Sequence, residues 1–155
     1  MHLSKALFYA LICFFVSSAA LAYEARVIKI ADGDTLTVLR GREQIKVRLA
    51  EIDAPEKKQP FGTRARQSLA DLCFGQVAEV MVDTTDRYGR SIARVKCQGQ
   101  DASYHQIEAG LAWVYFKYSK NPRLMQSEGQ ARVARRGLWA DKEPVPPWEW
   151  RKNRH

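Results

Sequence analysis

The 155-residue sequence predicts an α+β fold dominated by a β-barrel, with five strands in a Greek-key path and three helices in the order βββαββαα. Three observations carry this. Apolar residues alternate with polar ones in three short runs between residues 25 and 53. Two further strand-like runs occur at 77–83 and 90–97, closed into a hairpin by a turn that contains Gly89. The segments 61–73, 103–109 and 122–136 read as helices.

The first 22 residues read as an export leader rather than as part of the fold. Lys5 precedes an apolar run from Ala6 to Val16, and small residues lead to Ala20-Leu21-Ala22. That run is short for the roughly 20 residues a bilayer span requires. Cleavage after Ala22 is expected, giving a periplasmic or secreted chain with no membrane association. Residues 23–155 then form one domain around one modest core, without repeats or linker, expected to act as a monomer.

Val27, Ile28 and Ile30 mark the first strand, Leu36 and Val38 the second, and Ile45, Val47 and Leu49 the third. Asp32-Gly33 and Arg40-Gly41 supply the turns between them. Pro55 to Pro60 is a loop, since prolines bracket charged and amide residues. The helix at 61–73 puts Ala65, Leu69 and Leu72 on one face. In the last helix Asn121 is the N-cap, Pro122 the first helical position and Gly137 the stop. The Pro/Trp/basic tail at 144–155 is expected to wrap back over the domain without forming a helix, because Trp148 and Trp150 need cover. Five short strands with a helix after the third match the oligonucleotide/oligosaccharide-binding (OB-fold) barrel, which is partly open.

Loss of Lys5 with the leader leaves 24 basic against 17 acidic residues, a net charge of +7. Such a balance suits a polyanionic partner. Cys73 and Cys97 remain in an oxidising compartment, where they either pair as a structural disulfide or stay as two buried thiols.

Three clusters carry chemistry: Asp32-Gly33-Asp34-Thr35, Arg48 through Glu56, and Asp86-Arg87-Tyr88-Gly89-Arg90. Asp34 and Asp53 lie where the meander brings strand ends together, and two carboxylates with waters and a carbonyl suit Ca²⁺ rather than zinc. An Asp-Gly-Asp is also ordinary turn chemistry. Arg48 lies inside a strand, where a guanidinium is either a solvated outward group or needs a local anion, and its fork matches phosphate oxygens. Arg90 follows a glycine turn and can meet the same phosphate, although alone it reads as a surface charge. Glu56, just past a proline, is free to act as a general base toward water. Only His105 and His155 follow the leader, which argues against a paired-histidine nuclease. No glycine loop ending in Gly-Lys-Ser/Thr is present, which argues against nucleoside triphosphate hydrolysis. Tyr88, Tyr115, Phe116 and Tyr118 read either as stacking platforms for bases or as core and rim aromatics.

In this order and spacing, the clusters resemble the staphylococcal (micrococcal) nuclease, or thermonuclease, family over nearly the whole of residues 23–155. The resemblance implies that Asp34 and Asp53 are calcium ligands, and that Arg48 and Arg90 are catalytic arginines. It further implies that Glu56 activates the attacking water, with Arg87 and Tyr88 beside the substrate phosphate. Tyr118 is the substrate-side aromatic, because Phe116 falls where a base-contacting tyrosine is usual. Ala54 replaces a common threonine that would serve calcium through its backbone carbonyl, a tolerable change. The implied reaction is Ca²⁺-dependent endo- and exonucleolytic hydrolysis of DNA and RNA to 3′-phosphate and 5′-hydroxyl ends. Two other readings remain: a nucleic-acid-binding barrel without catalysis, and a basic secreted protein that recognises acidic glycans.

Overall fold

Strand β1 (Leu21–Ile30) is held between two antiparallel neighbours, β2 (Thr35–Arg40) and β5 (Val77–Thr85), in the computed structural model, which describes residues 21–153. Residues 1–20, which hold most of the expected leader, lie outside the described residues. The expected cleavage position after Ala22 falls within β1, whose Leu21 and Ala22 pair with Val82 and Met81. A register shift between Val27 and Lys29 changes the phase of the alternation. Ala25 and Val27 point inward before it, and Ile30 rather than Lys29 points inward after it.

β2 pairs with β3 (Glu43–Leu49), and β5 with β6 (Ser91–Cys97). A parallel ladder, Val47 to Ser91, Arg48 to Ile92 and Leu49 to Ala93, joins β3 to β6 and closes the five strands into a barrel. The seam is thus closed by this ladder, where the sequence alone predicts a partly open barrel. Val27, Leu36, Val38, Val47, Leu49, Val80 and Val95 fill the interior and are fully buried. Each such side chain contributes about 1.5–3 kcal/mol of transfer free energy. Leu49 faces this core while Arg48, its strand neighbour, points to the opposite side.

Three strands too short to read from sequence flank the barrel. β4 (Ile52–Asp53) pairs with β8 (Trp113–Val114), and β7 (Gln100–Asp101) extends the edge beside β6. Helix α1 (Gly62–Cys73) lays Ala65, Leu69 and Leu72 on the core, as its spacing predicts. Its last residue, Cys73, is disulfide-bonded to Cys97 at the end of β6, with the Cα atoms 5.2 Å apart. Helix α2 (Ala102–Glu108) is capped by Asp101, whose carboxylate accepts from Tyr104 N at 3.1 Å.

Helix α3 (Pro122–Val133) begins as its cap predicts, with Asn121 Oδ1 accepting from Arg123 N at 3.1 Å. It stops at Val133, three residues before the expected end. Arg135 takes up the left-handed turn at φ 52°, and a single 3-10 turn, Gly137–Ala140, follows. Gly137 is used for a close approach instead of a helix stop: a Cβ there would lie 2.2 Å from Gly110 O. The tail does return over the domain, but against expectation it forms a fourth helix, α4 (Pro147–Lys152). Pro147 at its first position presets the helical φ. Trp148 then stacks on Tyr115 with centroids 5.4 Å apart and meets Trp113 edge-on at 5.8 Å. No helix among the described residues is long and apolar enough to cross a membrane.

Candidate active site

The turn after β1 is stitched to the chain after β4 through Asp34. Its Oδ2 accepts from Ala54 N at 2.8 Å and its Oδ1 from Thr35 Oγ1 at 2.8 Å. Asp32 supports the same turn by accepting from Asp34 N at 3.0 Å. Arg48 crosses beneath. Its Nη2 lies 2.9 Å from Asp53 Oδ1 and 3.3 Å from Asp34 Oδ2, while its Nη1 donates to Ile52 O at 3.0 Å. A strand guanidinium thus finds the local anions that a buried position demands.

Burial opposes the charge on Arg48, but Asp34 and then Asp53 outweigh it and raise its pKa. Burial raises the pKa of Asp53 despite the hydrogen bond from Arg151. Burial, joined by the neighbouring charge of Asp34, pushes the Asp32 carboxyl up to about 7. For both aspartates burial is the largest cause, so these carboxyl groups sit where water solvates their charge poorly.

Glu56 hangs from the loop between β4 and α1. Its amide donates to Gln59 Oε1 at 3.0 Å, and Gln59 Nε2 donates in turn to Val145 O at 2.7 Å. Gly62 keeps this loop tight, since a Cβ there would lie 2.0 Å from Glu56 O. The Glu56 carboxylate receives Arg151 Nη1 at 2.7 Å, and Arg151 Nη2 lies 2.7 Å from Asp53 Oδ2. Both acids raise the pKa of Arg151 against the effect of its burial, so it remains a full cation.

The turn between β5 and β6, which also lines the cleft, is organised by Asp86. It accepts from Tyr88 N at 2.9 Å, from Arg90 N at 3.0 Å and from Arg90 Nε at 2.8 Å. Gly89, at φ 77°, lets the chain reverse there. Arg87 donates to Tyr88 Oη at 2.6 Å and lies over its ring.

These parts surround one open cleft of about 910 Å³, which brings together the expected Asp34, Arg48, Asp53, Glu56 and Arg90. Arg87, Tyr88 and Tyr118 line it as well, with Tyr88 and Tyr118 largely exposed. Tyr115 contributes to the wall, and Phe116 stands outside it. Sequence reasoning missed Arg151 and gave Asp32 only a turn role. The Trp148/Trp150 need for cover signalled that the tail docks, but nothing signalled that it docks over Asp53.

The donor set fits a hard divalent cation. Asp32, Asp34, Asp53 and Glu56 place four carboxyl groups beside the two guanidiniums of Arg48 and Arg151, and every group there that could donate to a metal does so through oxygen. Among the described residues no group of three or more His, Cys, Asp or Glu side chains forms a ready metal cage. A cation here would therefore rest on Asp34 and Asp53, completed by backbone carbonyls and water.

Comparison with known proteins points the same way. The family described as staphylococcal nuclease homologue matches residues 46–141. A Haemophilus influenzae protein named as an uncharacterized endonuclease is 44% identical, over 82% of this chain and 72% of its own. A Shigella flexneri protein named micrococcal nuclease is 41% identical, over 84% of this chain and 81% of its own. An Escherichia coli O157:H7 protein, also named as an uncharacterized endonuclease, is 41% identical over 81% of this chain and 83% of its own.

Proposed function

Because the chain belongs to the staphylococcal nuclease homologue family, we propose that it is an exported, Ca²⁺-dependent nuclease that hydrolyses DNA and RNA to 3′-phosphate and 5′-hydroxyl ends. The coarser part follows from the family and its relatives: this is a nuclease, a hydrolase whose substrate is nucleic acid. The finer part rests on one observation, that Arg48, Glu56, Arg90 and the paired Asp34 and Asp53 line a single cleft.

Water attack on the phosphorus of a diester requires a base, and Glu56 is the partly exposed carboxylate at the cleft mouth, received there by Arg151. The water oxygen bonds to phosphorus as Glu56 takes its proton. The P–O5′ bond breaks, and the departing oxygen takes up a proton. Negative charge grows on the phosphoryl oxygens of the phosphorane-like transition state. Arg48, on β3, and Arg90, just before the adjacent strand β6, both line the cleft, and their guanidinium groups would stabilise that charge. Held by fixed partners before substrate arrives, they need little reorganisation in the reaction. A calcium ion on Asp34 and Asp53 would add Lewis-acid polarisation of a phosphoryl oxygen. Arg87, Tyr88 and Tyr118 hold the flanking strand, the arginine on phosphate and the exposed rings under bases. That arrangement favours single-stranded substrate.

The test is cleavage of single-stranded DNA by the purified chain from Tyr23 onward, with Ca²⁺ and then with EGTA, beside Glu56→Gln. Calcium-dependent cutting that the variant loses by about 100-fold or more is expected. Tight binding without cutting in any divalent metal would leave a nucleic-acid-binding barrel instead.

A further inference from the structure

We propose that Arg151 is a positioning residue of this site, and that α4 acts as a clamp that holds Glu56 beside Asp53. The inference rests on the reading of Glu56 as the general base. Among the described residues, Arg151 is the one polar partner of the Glu56 carboxylate, at 2.7 Å. The same guanidinium grips both oxygens of Asp53, at 2.7 and 3.3 Å. One planar fork therefore fixes the spacing between the loop acid and the buried acid, a task for which Arg is suited and Lys is not.

Glu56 needs such a partner. Its side chain is 39% exposed and sits on a loop, where a free glutamate would spread over several rotamers. A base is effective only when its oxygen stays within reach of the attacking water. Arg151 is itself well founded. Trp148, three residues earlier on α4, is stacked flat on Tyr115, and the Gln59–Val145 hydrogen bond ties the Glu56 loop to the segment that leads into α4. The tail and the loop thus meet at two independent points, one through backbone and one through the carboxylate. Arg151 does not need to touch substrate for this role; it acts through Glu56.

The experiment is a double-mutant cycle on single-stranded DNA cleavage with parent, Arg151→Ala, Glu56→Gln and the double variant. Arg151→Ala is expected to lower kcat by about 10- to 100-fold with KM nearly unchanged, because orientation of the base affects turnover and not binding. In the Glu56→Gln background the same change should alter kcat less than about 2-fold, since the base that Arg151 positions is gone. Arg151→Lys should recover only part of the loss. A second readout needs no activity: the ¹³C resonance of the Glu56 side-chain carboxyl, in calcium-free protein, should move toward that of an exposed glutamate such as Glu79 on Arg151→Ala. Additive losses in the cycle, or a rise in KM with kcat preserved, would mean that Arg151 binds phosphate and overturn the proposal. An unmoved Glu56 resonance would overturn it too. A parent protein that never cuts DNA would defeat the functional reading alone, and the resonance would still decide the clamp. Arg151→Lys keeps the charge and supplies the same comparison if the alanine variant unfolds.

Discussion

Arg48 and Asp53 are five residues apart in the chain and meet at 2.9 Å, guanidinium to carboxylate, at the point where the barrel wall hands over to the β4 extension. The Nη1 of Arg48 donates to Ile52 O and Leu49 O, so the side chain bridges two strands as well as two acids. Removing it would strand buried carboxylates, a loss of about 3 kcal/mol at the low end for broken buried pairs because Arg151 still serves Asp53. Arg48→Ala is therefore expected to lower the urea midpoint as well as abolish cutting. Arg48→Lys should keep most of the stability and still lose about 100-fold in kcat, since a single ammonium cannot replace the fork. Equal activity for Lys and Arg would remove Arg48 from the reaction.

Gly62 offers a test of loop geometry apart from charge. Its missing Cβ leaves room for Glu56 O, which an alanine would approach to 2.0 Å. Gly62→Ala must push the Glu56 backbone outward, at a cost of about 1–3 kcal/mol for overpacking. Activity should fall further than the drop in melting temperature explains, and an unchanged kcat would show that the loop position is not critical.

Asp32 sets a pH dependence in calcium-free protein. Its carboxyl is raised from 3.8 to about 7, first by burial and then by Asp34, so the folded state holds this proton more firmly than the unfolded chain does. The stability it contributes is full below about pH 4 and is lost as the pH rises through about 7. Asp32→Asn keeps an acceptor for Asp34 N and removes the titration. Denaturant melts in EGTA should show a shallower decline between pH 4 and 7 in the variant, and greater stability than the parent at pH 8. Identical pH slopes in the two proteins would refute the assignment.

The Cys73–Cys97 bond spans a separation of 24 residues, for which the chain-entropy model gives about 3 kcal/mol. Reduction by dithiothreitol, or the double change to alanine, is expected to lower the melting temperature by about 10 °C. Because the pair ties α1 to β6 and lies outside the cleft, kcat at a permissive temperature should stay within about 2-fold.

The barrel was legible because each of its strands has one buried face, and alternation at Val47, Leu49, Val80 and Val95 reports that face directly. The cleft was legible for a related reason: polar residues such as Asp34, Arg48 and Asp53 occupy places where packing alone would select apolar ones. β4 and β8 were not, because two-residue strands have no period to detect. The early end of α3 was hidden because Gly137 serves an approach to Gly110, a contact 27 positions distant that local signals do not encode. Arg151 escaped for the same reason. Nothing around it in sequence is acidic except Glu149, and its true partners are separated from it by 98 and 95 positions.

That separation also sets an order of events during synthesis. A ribosome that has just added Glu56 must add 95 more residues before the chain holds the arginine that receives it. Five barrel strands, the disulfide partners and both Asp34 and Asp53 precede Arg151 in the chain. A growing polypeptide thus holds every strand of the barrel while the Glu56 carboxylate still lacks its partner, and that contact forms only after the segment carrying Trp148 and Arg151 has emerged.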